Sequence, residues 1–193
     1  MRKIKIIIGL LLLLAVAISN TVTGSVIPCP CDTVSTTPSN PVFDVRVELI
    51  RTAESKVGVA EATGNNDGAD VLEFQKATGN KKGDQWCASF CAWVYKTNGL
   101  NTTGNAYSPS WFTKSTVIYK PSENIYLTPA PGDVFGIWVE SKGRVGHVGI
   151  IYSWGDDMVT TIEGNYSNKV VKQKRIKRQI YVASNWVNNQ STI

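Results

Sequence analysis

The side chains of this sequence that could do chemistry centre on one cysteine and one histidine. Cys87 lies at the start of a predicted helix, where free N–H groups and the positive end of the helix dipole lower a thiol pKa and can bind a developing oxyanion. His147 is the single histidine among 193 residues and lies in a predicted strand between Gly146 and Gly149, which leave room for a substrate. The pair predicts nucleophilic catalysis by cysteine. The plainer interpretation is a small buried thiol and a packed strand histidine.

Two polar residues on a later predicted strand complete the candidate site. Glu163 and Asn165 are two residues apart, so their side chains project from the same side of an extended segment. Either could accept a hydrogen bond from the second ring nitrogen of His147 and fix its tautomer. The alternative for Asn165 is a turn residue that tolerates unusual backbone angles. Cys91, one turn after Cys87, is expected to be a small buried hydrophobe, because it lies mid-helix without the advantage of the helix dipole. A Cys87–Cys91 disulfide is the alternative, although its geometry is poor within a regular helix.

The elements that must position these residues are helices first and strands afterwards. Apolar residues at helical spacing predict helices over residues 44–57, 69–77 and 85–96. A loop-like stretch follows, and then runs rich in β-branched and aromatic residues predict strands. The predicted strands cover residues 133–139, 145–153, 158–162 and 170–182. This order predicts an α+β fold in which N-terminal helices pack on a C-terminal antiparallel sheet.

Four segments, taken in order along the chain, carry recognisable motifs. Gly-Asp-Gln-Trp-Cys-Ala-Ser-Phe around Cys87, preceded by Asn66-Asp67-Gly68, resembles the helix-borne nucleophile motif of CHAP domains (cysteine, histidine-dependent amidohydrolase/peptidase). Residues 131–135 resemble the first core strand of that family, residues 146–150 its histidine strand, and residues 162–165 its Glu-x-Asn ending. The resemblance spans roughly residues 44–168.

This resemblance implies a papain-like fold and cleavage of amide bonds in bacterial peptidoglycan. Carried over by position, Cys87 is the nucleophile, His147 is the general base, and Glu163 orients the imidazole. Asn165 gives polar support nearby, and the roles of Glu163 and Asn165 could be exchanged. Trp86 is implied to line the substrate groove, with a core position as the alternative.

No cofactor and no metal are expected from this resemblance. Some relatives bind calcium in a loop before the nucleophile, but Asp67 and Asp70 are too few acids to predict such a site here. The competing interpretation of the whole chain is a non-catalytic cell-wall binding module with the same fold. A complete Cys, His, Glu and Asn set argues against that alternative.

The N-terminal segment predicts export. Three basic residues among the first five precede an apolar run from Ile6 to Ile18, which is short for a membrane span. We interpret residues 1–18 as a signal peptide, with an uncleaved signal anchor as the alternative. The protein is therefore expected in the periplasm, at the cell surface or in the medium.

A tether is predicted between this segment and the folded domain. Residues 19–42 are rich in Ser, Thr, Pro and Asn and have no helical or strand period. Cys29 and Cys31 lie in the tether, and the sequence leaves their pairing open. Residues 43–193 then form the predicted catalytic domain.

The positive charge of the chain is concentrated in two places. The sequence has 20 Lys and Arg against 15 Asp and Glu, a formal net charge of +5. Three of the 20 lie in the export segment and six between Lys169 and Arg178, which leaves 11 basic residues against 15 acidic ones elsewhere. We interpret the late basic stretch as the solvated face of a hairpin, with adhesion to an anionic polymer as the alternative.

The partners follow from these observations. Peptidoglycan is the expected substrate. No aromatic residues are interleaved with the late basic stretch to stack on bases, so a nucleic-acid partner is not expected. Membrane contact is expected only through an uncleaved N-terminal segment, and the protein is expected to be a monomer.

Overall fold

A computed structural model describes residues 41–190 of the chain. The predicted signal segment, most of the predicted tether, and both Cys29 and Cys31 lie outside the described residues. The described part contains the helices α1 (Pro41–Glu54), α2 (Ala69–Lys76) and α3 (Cys87–Thr97). No helix within residues 41–190 combines the length and the apolar character needed to cross a bilayer.

The three helices occur where the sequence predicts them, with shifted ends. α1 begins and ends three residues earlier than predicted. It ends at Glu54 because the chain turns there and then reaches Gly58, which has a φ of 95°. α3 begins at Cys87, two residues later than predicted, and Trp86 precedes its first turn. This start places the thiol of Cys87 on the first residue of the helix.

Within residues 41–190, seven strands form one antiparallel sheet in the order β2-β1-β7-β3-β4-β5-β6. Neighbours along the chain pair in the second half of the sheet, where β3, β4, β5 and β6 form a meander. The last strand along the chain, β7, instead lies between β1 and β3. The strands are β1 (Val117–Lys120), β2 (Ile125–Tyr126), β3 (Val134–Val139), β4 (Arg144–Trp154), β5 (Met158–Tyr166), β6 (Lys169–Ile176) and β7 (Val182–Ser184).

The predicted α+β fold, with N-terminal helices on a C-terminal antiparallel sheet, is confirmed. Two details of the prediction are wrong. The segment taken as a loop contains β1 and β2, which are too short and too exposed to show a clear alternation of apolar residues. The stretch 170–182 is divided into β6 and β7 by a 3-10 turn over Lys177–Gln179, because β7 pairs with β1 and β3 and not with β5.

The core lies between the helices and one face of the sheet. α3 is its central element, and most of its side chains are buried, including those of Phe90, Val94 and Tyr95. An aromatic cluster joins α2 to α3, because the Phe74 ring lies 5.3 Å from Phe90 and 5.7 Å from Trp86. Such rings supply much of the apolar area that stabilises a domain of this size. The packing fixes α3, and with it Cys87, against β4 and β5.

Candidate active site

Cys87 lies at the meeting point of α3, β4 and the loop before β1. Its side chain is almost buried, with 8 % of the residue exposed. It shares a hydrogen bond with His147 on β4, and its Sγ lies 3.9 Å from Ser108 Oγ. No side chain caps the N-terminus of α3, so the first-turn N–H groups have no side-chain cap and favour negative charge at this end of the helix.

The surroundings of Cys87 and His147 favour the charged form of both groups. Burial raises the pKa of the Cys87 thiol, but the hydrogen bond and charge of His147, the Val148 N–H and the Ser108 hydroxyl outweigh burial and lower it. Burial likewise lowers the pKa of His147, yet Cys87 and Glu163 outweigh it and raise the pKa to about 9. The pair is therefore a thiolate and an imidazolium over a window of pH.

Glu163 is the residue that contacts the imidazole. Its Oε2 lies 2.7 Å from His147 Nε2, and the carboxylate is fully buried. Because Nε2 is occupied, the other ring nitrogen, Nδ1, is the one left to face Cys87. The described chain thus places thiol, imidazole and carboxylate in one hydrogen-bonded series.

Two glycines make room for this arrangement. A Cβ at Gly149 would lie 2.8 Å from the Phe135 ring and 2.9 Å from Glu163 Cγ. A Cβ at Gly164 would lie 2.5 Å from Phe90 Cβ on α3. Neither distance is compatible with a larger side chain. The glycines of the two motifs therefore let β4, β5 and α3 approach closely enough to bring Glu163 to His147.

Arg175 also binds the Glu163 carboxylate, a role that the sequence did not reveal. Its Nε donates to Oε1 at 2.6 Å and a terminal nitrogen donates to Oε2 at 2.5 Å. Thr161 Oγ1 also donates to Oε1 at 2.5 Å. Burial raises the pKa of Glu163, but Arg175 and His147 outweigh burial and lower it to about 2. The carboxylate therefore stays ionised although it has no access to solvent.

The prediction that the late basic stretch is a single solvated face is wrong for Arg175. Along β6, Lys172 and Lys174 are exposed, while Arg175 turns to the opposite side, where only 12 % of its side chain is exposed. The period of two in this strand is the signal that could have separated Arg175 from its neighbours. It was hidden because the basic residues of the run lie on both faces of the strand.

Asn165 does not contact the imidazole in this structure. It has a left-handed backbone (φ 55°), and its Nδ2 donates to Gln85 Oε1 at 3.0 Å and to Asn66 Oδ1 at 3.2 Å. If the amide is turned over, its oxygen accepts the Trp86 N–H at 3.0 Å. In either orientation Asn165 ties the end of β5 to the segment before Cys87. Exchange of roles with Glu163 is therefore not what the structure shows.

Trp86 lies in the core and does not line a groove. Its side chain is fully buried, its ring packs on Phe74, and its Nε1 donates to Glu61 Oε1 at 2.9 Å. A tryptophan ring beside a nucleophile looks like a substrate contact in the sequence. Here the apolar cluster takes the ring, and the alternative of a core position is the one observed.

The acids before the nucleophile are engaged with other groups. Asp67 accepts hydrogen bonds from the backbone and hydroxyl of Thr63, and Asp70 pairs with Lys56 at 2.7 Å. Within residues 41–190, no three His, Cys, Asp or Glu side chains gather as metal ligands would. Cys87 and Cys91 are both free thiols.

Together these residues form a candidate site of one class: a cysteine thiol with a lowered pKa beside a histidine that a buried carboxylate contacts, on an α+β scaffold. The family model of the CHAP domain matches residues 78–165. The resemblance inferred from the motifs is thereby confirmed over this span, which contains Cys87, His147, Glu163 and Asn165. The match supports a hydrolase.

Three solved structures are similar to this chain at low sequence identity. The peptidoglycan hydrolase RipB from Mycobacterium tuberculosis is 16% identical, with 77% of this chain and 67% of that chain covered and a TM-score of 0.48. Ly7917 is 14% identical, with coverage of 74% and 62% and a TM-score of 0.35. Ly7917 with the hydrolyzing product of MDP is 16% identical, with coverage of 72% and 62% and a TM-score of 0.34. None of the curated proteins matches this chain.

Proposed function

We propose that this chain is an exported cysteine amidohydrolase or peptidase that cleaves amide bonds in bacterial peptidoglycan. The observation that carries the chemistry is the hydrogen-bonded series Cys87–His147–Glu163, with Arg175 behind the carboxylate. The CHAP match supports peptidoglycan as the substrate. Export rests on the basic and apolar N-terminal segment of residues 1–18.

The reaction begins with attack of the Cys87 thiolate on the carbonyl carbon of the scissile amide. The carbonyl oxygen becomes an oxyanion, which the N–H groups at the start of α3 stabilise. The C–N bond then breaks as the Nδ1 proton of His147 moves to the leaving nitrogen, which gives a free amine and a thioester on Cys87. His147, now neutral, takes a proton from water as the water oxygen attacks the thioester carbon. The C–S bond then breaks, its electron pair returns to sulfur, and the free acid leaves with Cys87 again a thiolate and His147 again an imidazolium.

Glu163 and Arg175 act on the histidine rather than on the substrate. Glu163 keeps Nε2 protonated and stabilises the imidazolium that must protonate the amine. Arg175 keeps Glu163 ionised and fixes its orientation, because a buried carboxylate without a partner would take up a proton. Both are positioning residues.

The test is digestion of purified peptidoglycan with the full chain, followed by mass spectrometry of the soluble fragments. New termini at the bond between muramic acid and alanine would identify an amidase, and new termini within the peptide would identify an endopeptidase. Cys87→Ala is the control and is expected to release no fragments. If the native chain binds the wall but releases no fragments, the protein is a non-catalytic wall-binding module and the proposal is wrong.

A further inference from the structure

A cavity of about 250 Å³ is lined by residues of β1, β3, β4 and β7 and of the segment that contains Ser108. We call it the Arg144 cavity. Aromatic and aliphatic side chains form most of its walls, and Arg144 and Lys120 are the charged side chains in its lining. The side chains that matter for the argument are Tyr107, Lys120, Trp138, Arg144 and Tyr181.

The cavity is lined by chain neighbours of the residues around Cys87. Two of its lining residues, Tyr107 and Pro109, lie on either side of Ser108, whose Oγ is 3.9 Å from Cys87 Sγ. Another, Val145, lies two residues before His147 on β4. The segments that contact the thiol therefore also form walls of the cavity.

Arg144 is the charged group of the cavity that has no carboxylate partner. Its guanidinium lies 4.8 Å from the centre of the Tyr107 ring, and one terminal nitrogen donates to the Val145 carbonyl at 3.0 Å. Across residues 41–190, no acidic side chain forms an ion pair with it, whereas Lys120 pairs with Glu123. The cavity therefore contains one cation whose charge is not balanced locally.

The contacts of Arg144 leave much of its guanidinium available. One N–H is used by the Val145 carbonyl, and a guanidinium carries several further N–H donors. This fork of donors matches the two oxygens of a carboxylate. The exposed rings of Tyr107 and Trp138, with 54% and 39% of each residue accessible, provide apolar surface on both sides.

We propose that the Arg144 cavity is a substrate subsite that binds a free carboxylate of an acidic peptide, with Arg144 as the specificity-determining residue. This inference rests on the proposed function, because the stem peptides of peptidoglycan carry free carboxylates near their amide bonds. Two sources share this chemistry, the α-carboxylate of a γ-linked D-glutamate and the C-terminal carboxylate of the peptide. The subsite selects acidic stem peptides over their amidated forms.

The test measures binding to the full chain carrying Cys87→Ala, so that turnover plays no part. The probes are the tetrapeptide L-Ala-γ-D-Glu-L-Lys-D-Ala and two analogues, one amidated at the glutamate α-carboxylate and one at the C-terminus. Titration calorimetry is expected to show one analogue bound about tenfold or more weakly than the acid. The amide that causes the loss identifies the carboxylate.

Added to Cys87→Ala, Arg144→Gln is expected to weaken binding of the acid by the same factor and to abolish the difference between acid and amide. Arg144→Lys keeps the charge but not the forked guanidinium. Its affinity for the acid is expected to lie between that of the chain with Arg144 and that of Arg144→Gln. Lys142→Gln is the matched control, because it removes one charge two residues away from an exposed side chain outside the cavity. It is expected to leave all three affinities unchanged.

Several outcomes would overturn the subsite: no binding of the tetrapeptide, equal affinities for acid and amides, or the same loss in Arg144→Gln for every probe. Amide discrimination in the Arg144-containing chain does not depend on whether Arg144→Gln folds. The subsite and the proposed function also fail separately. If peptidoglycan is cleaved but acid and amides bind equally, only the subsite is wrong. If discrimination depends on Arg144 but the native chain cleaves nothing, only the proposed hydrolase activity is wrong.

Discussion

The first and second turns of α3 each carry a cysteine, and the two thiols have opposite character. Burial raises the pKa of both Cys87 and Cys91. At Cys87, His147, the Val148 N–H and the Ser108 hydroxyl reverse the effect, so the pKa is lowered. At Cys91 the pKa is raised well above its usual value, because burial is reinforced by the nearby charges of Cys87 and Glu163. The reactivity of a thiol on this helix is thus determined by the neighbouring strand and loop.

Replacement of each cysteine by serine should affect different properties of the protein. The loss of activity in Cys87→Ser is the largest effect we expect. Cys87→Ser should lower kcat/KM on peptidoglycan by at least about 10⁴-fold, because a hydroxyl at this site is not ionised. Cys91→Ser should leave kcat/KM within about threefold and instead lower the free energy of unfolding by about 1 kcal/mol, since it buries a hydroxyl. Turbidity assays and urea unfolding measure the two quantities. Equal losses of activity would contradict the comparison.

The rate of thiol labelling should distinguish Cys87 from Cys91 without any mutation. At pH 6, iodoacetamide should modify Cys87 about 100-fold faster than Cys91, because the thiolate is the reacting form and only Cys87 has a lowered pKa. Peptide mapping by mass spectrometry gives both rates on the same sample. Cys91 should react at the rate of a free cysteine only in urea. Equal labelling of the folded protein would contradict the assigned difference.

The residues behind His147 should have a smaller effect than the nucleophile itself. Glu163→Gln should lower kcat/KM by about 100-fold, because an amide stabilises the imidazolium less than a carboxylate. Arg175→Lys should lower it by about tenfold, since a lysine keeps the charge but cannot bind both carboxylate oxygens. Lys174→Gln, at an exposed position on the same strand, is the matched control and should have no effect.

If Arg175 only stabilised the fold, its substitution would not change the pH dependence of kcat/KM. Glu163 helps to raise the pKa of His147, so in Arg175→Lys the alkaline limb of kcat/KM should shift to lower pH. An unchanged alkaline limb, with only a loss of stability, would contradict the positioning role.

The smallest expected effects are shifts of pH dependence. Below the lowered pKa of Cys87 the nucleophile is protonated, and above the His147 pKa of about 9 the imidazole has lost the proton that the amine needs. Activity should therefore rise through the first value and fall near pH 9. In Cys87→Ala the thiolate is lost, so the pKa of His147 should fall by roughly one unit. Nuclear magnetic resonance of the single histidine measures this directly, and an unchanged value would contradict the pairing of the two groups.

The sequence was sufficient for the parts of the site that depend on local pattern. Cys87 before a helical stripe, His147 between glycines and Glu163 on an alternating strand could all be located, because each lies in an element with a clear period. Arg175 could not, because its role depends on which side of β6 faces β5, and a run of basic residues hides that alternation. Trp86 was misplaced in the groove because burial of a ring depends on its neighbours in space.

The same limit explains the missed strands. β1 and β2 are short, and their residues are only partly buried, so their pairing is visible only once β7 is placed beside β1. Long-range pairing leaves no local trace in the residues that take part. The contact between Tyr107 and Arg144 could not be predicted either, because the two residues are far apart in sequence and no local pattern links them.

The position of β7 has a consequence for how the protein can be made. Strands β3 to β6 are sequential neighbours, but β1 and β2 join the sheet only through β7, which follows them all along the chain. During synthesis from the N-terminus, the sheet therefore remains in two separate pieces until residue 184 has emerged. Such late, long-range closure favours slow folding. The described sheet is therefore complete only when Val182–Ser184 can pair with both β1 and β3.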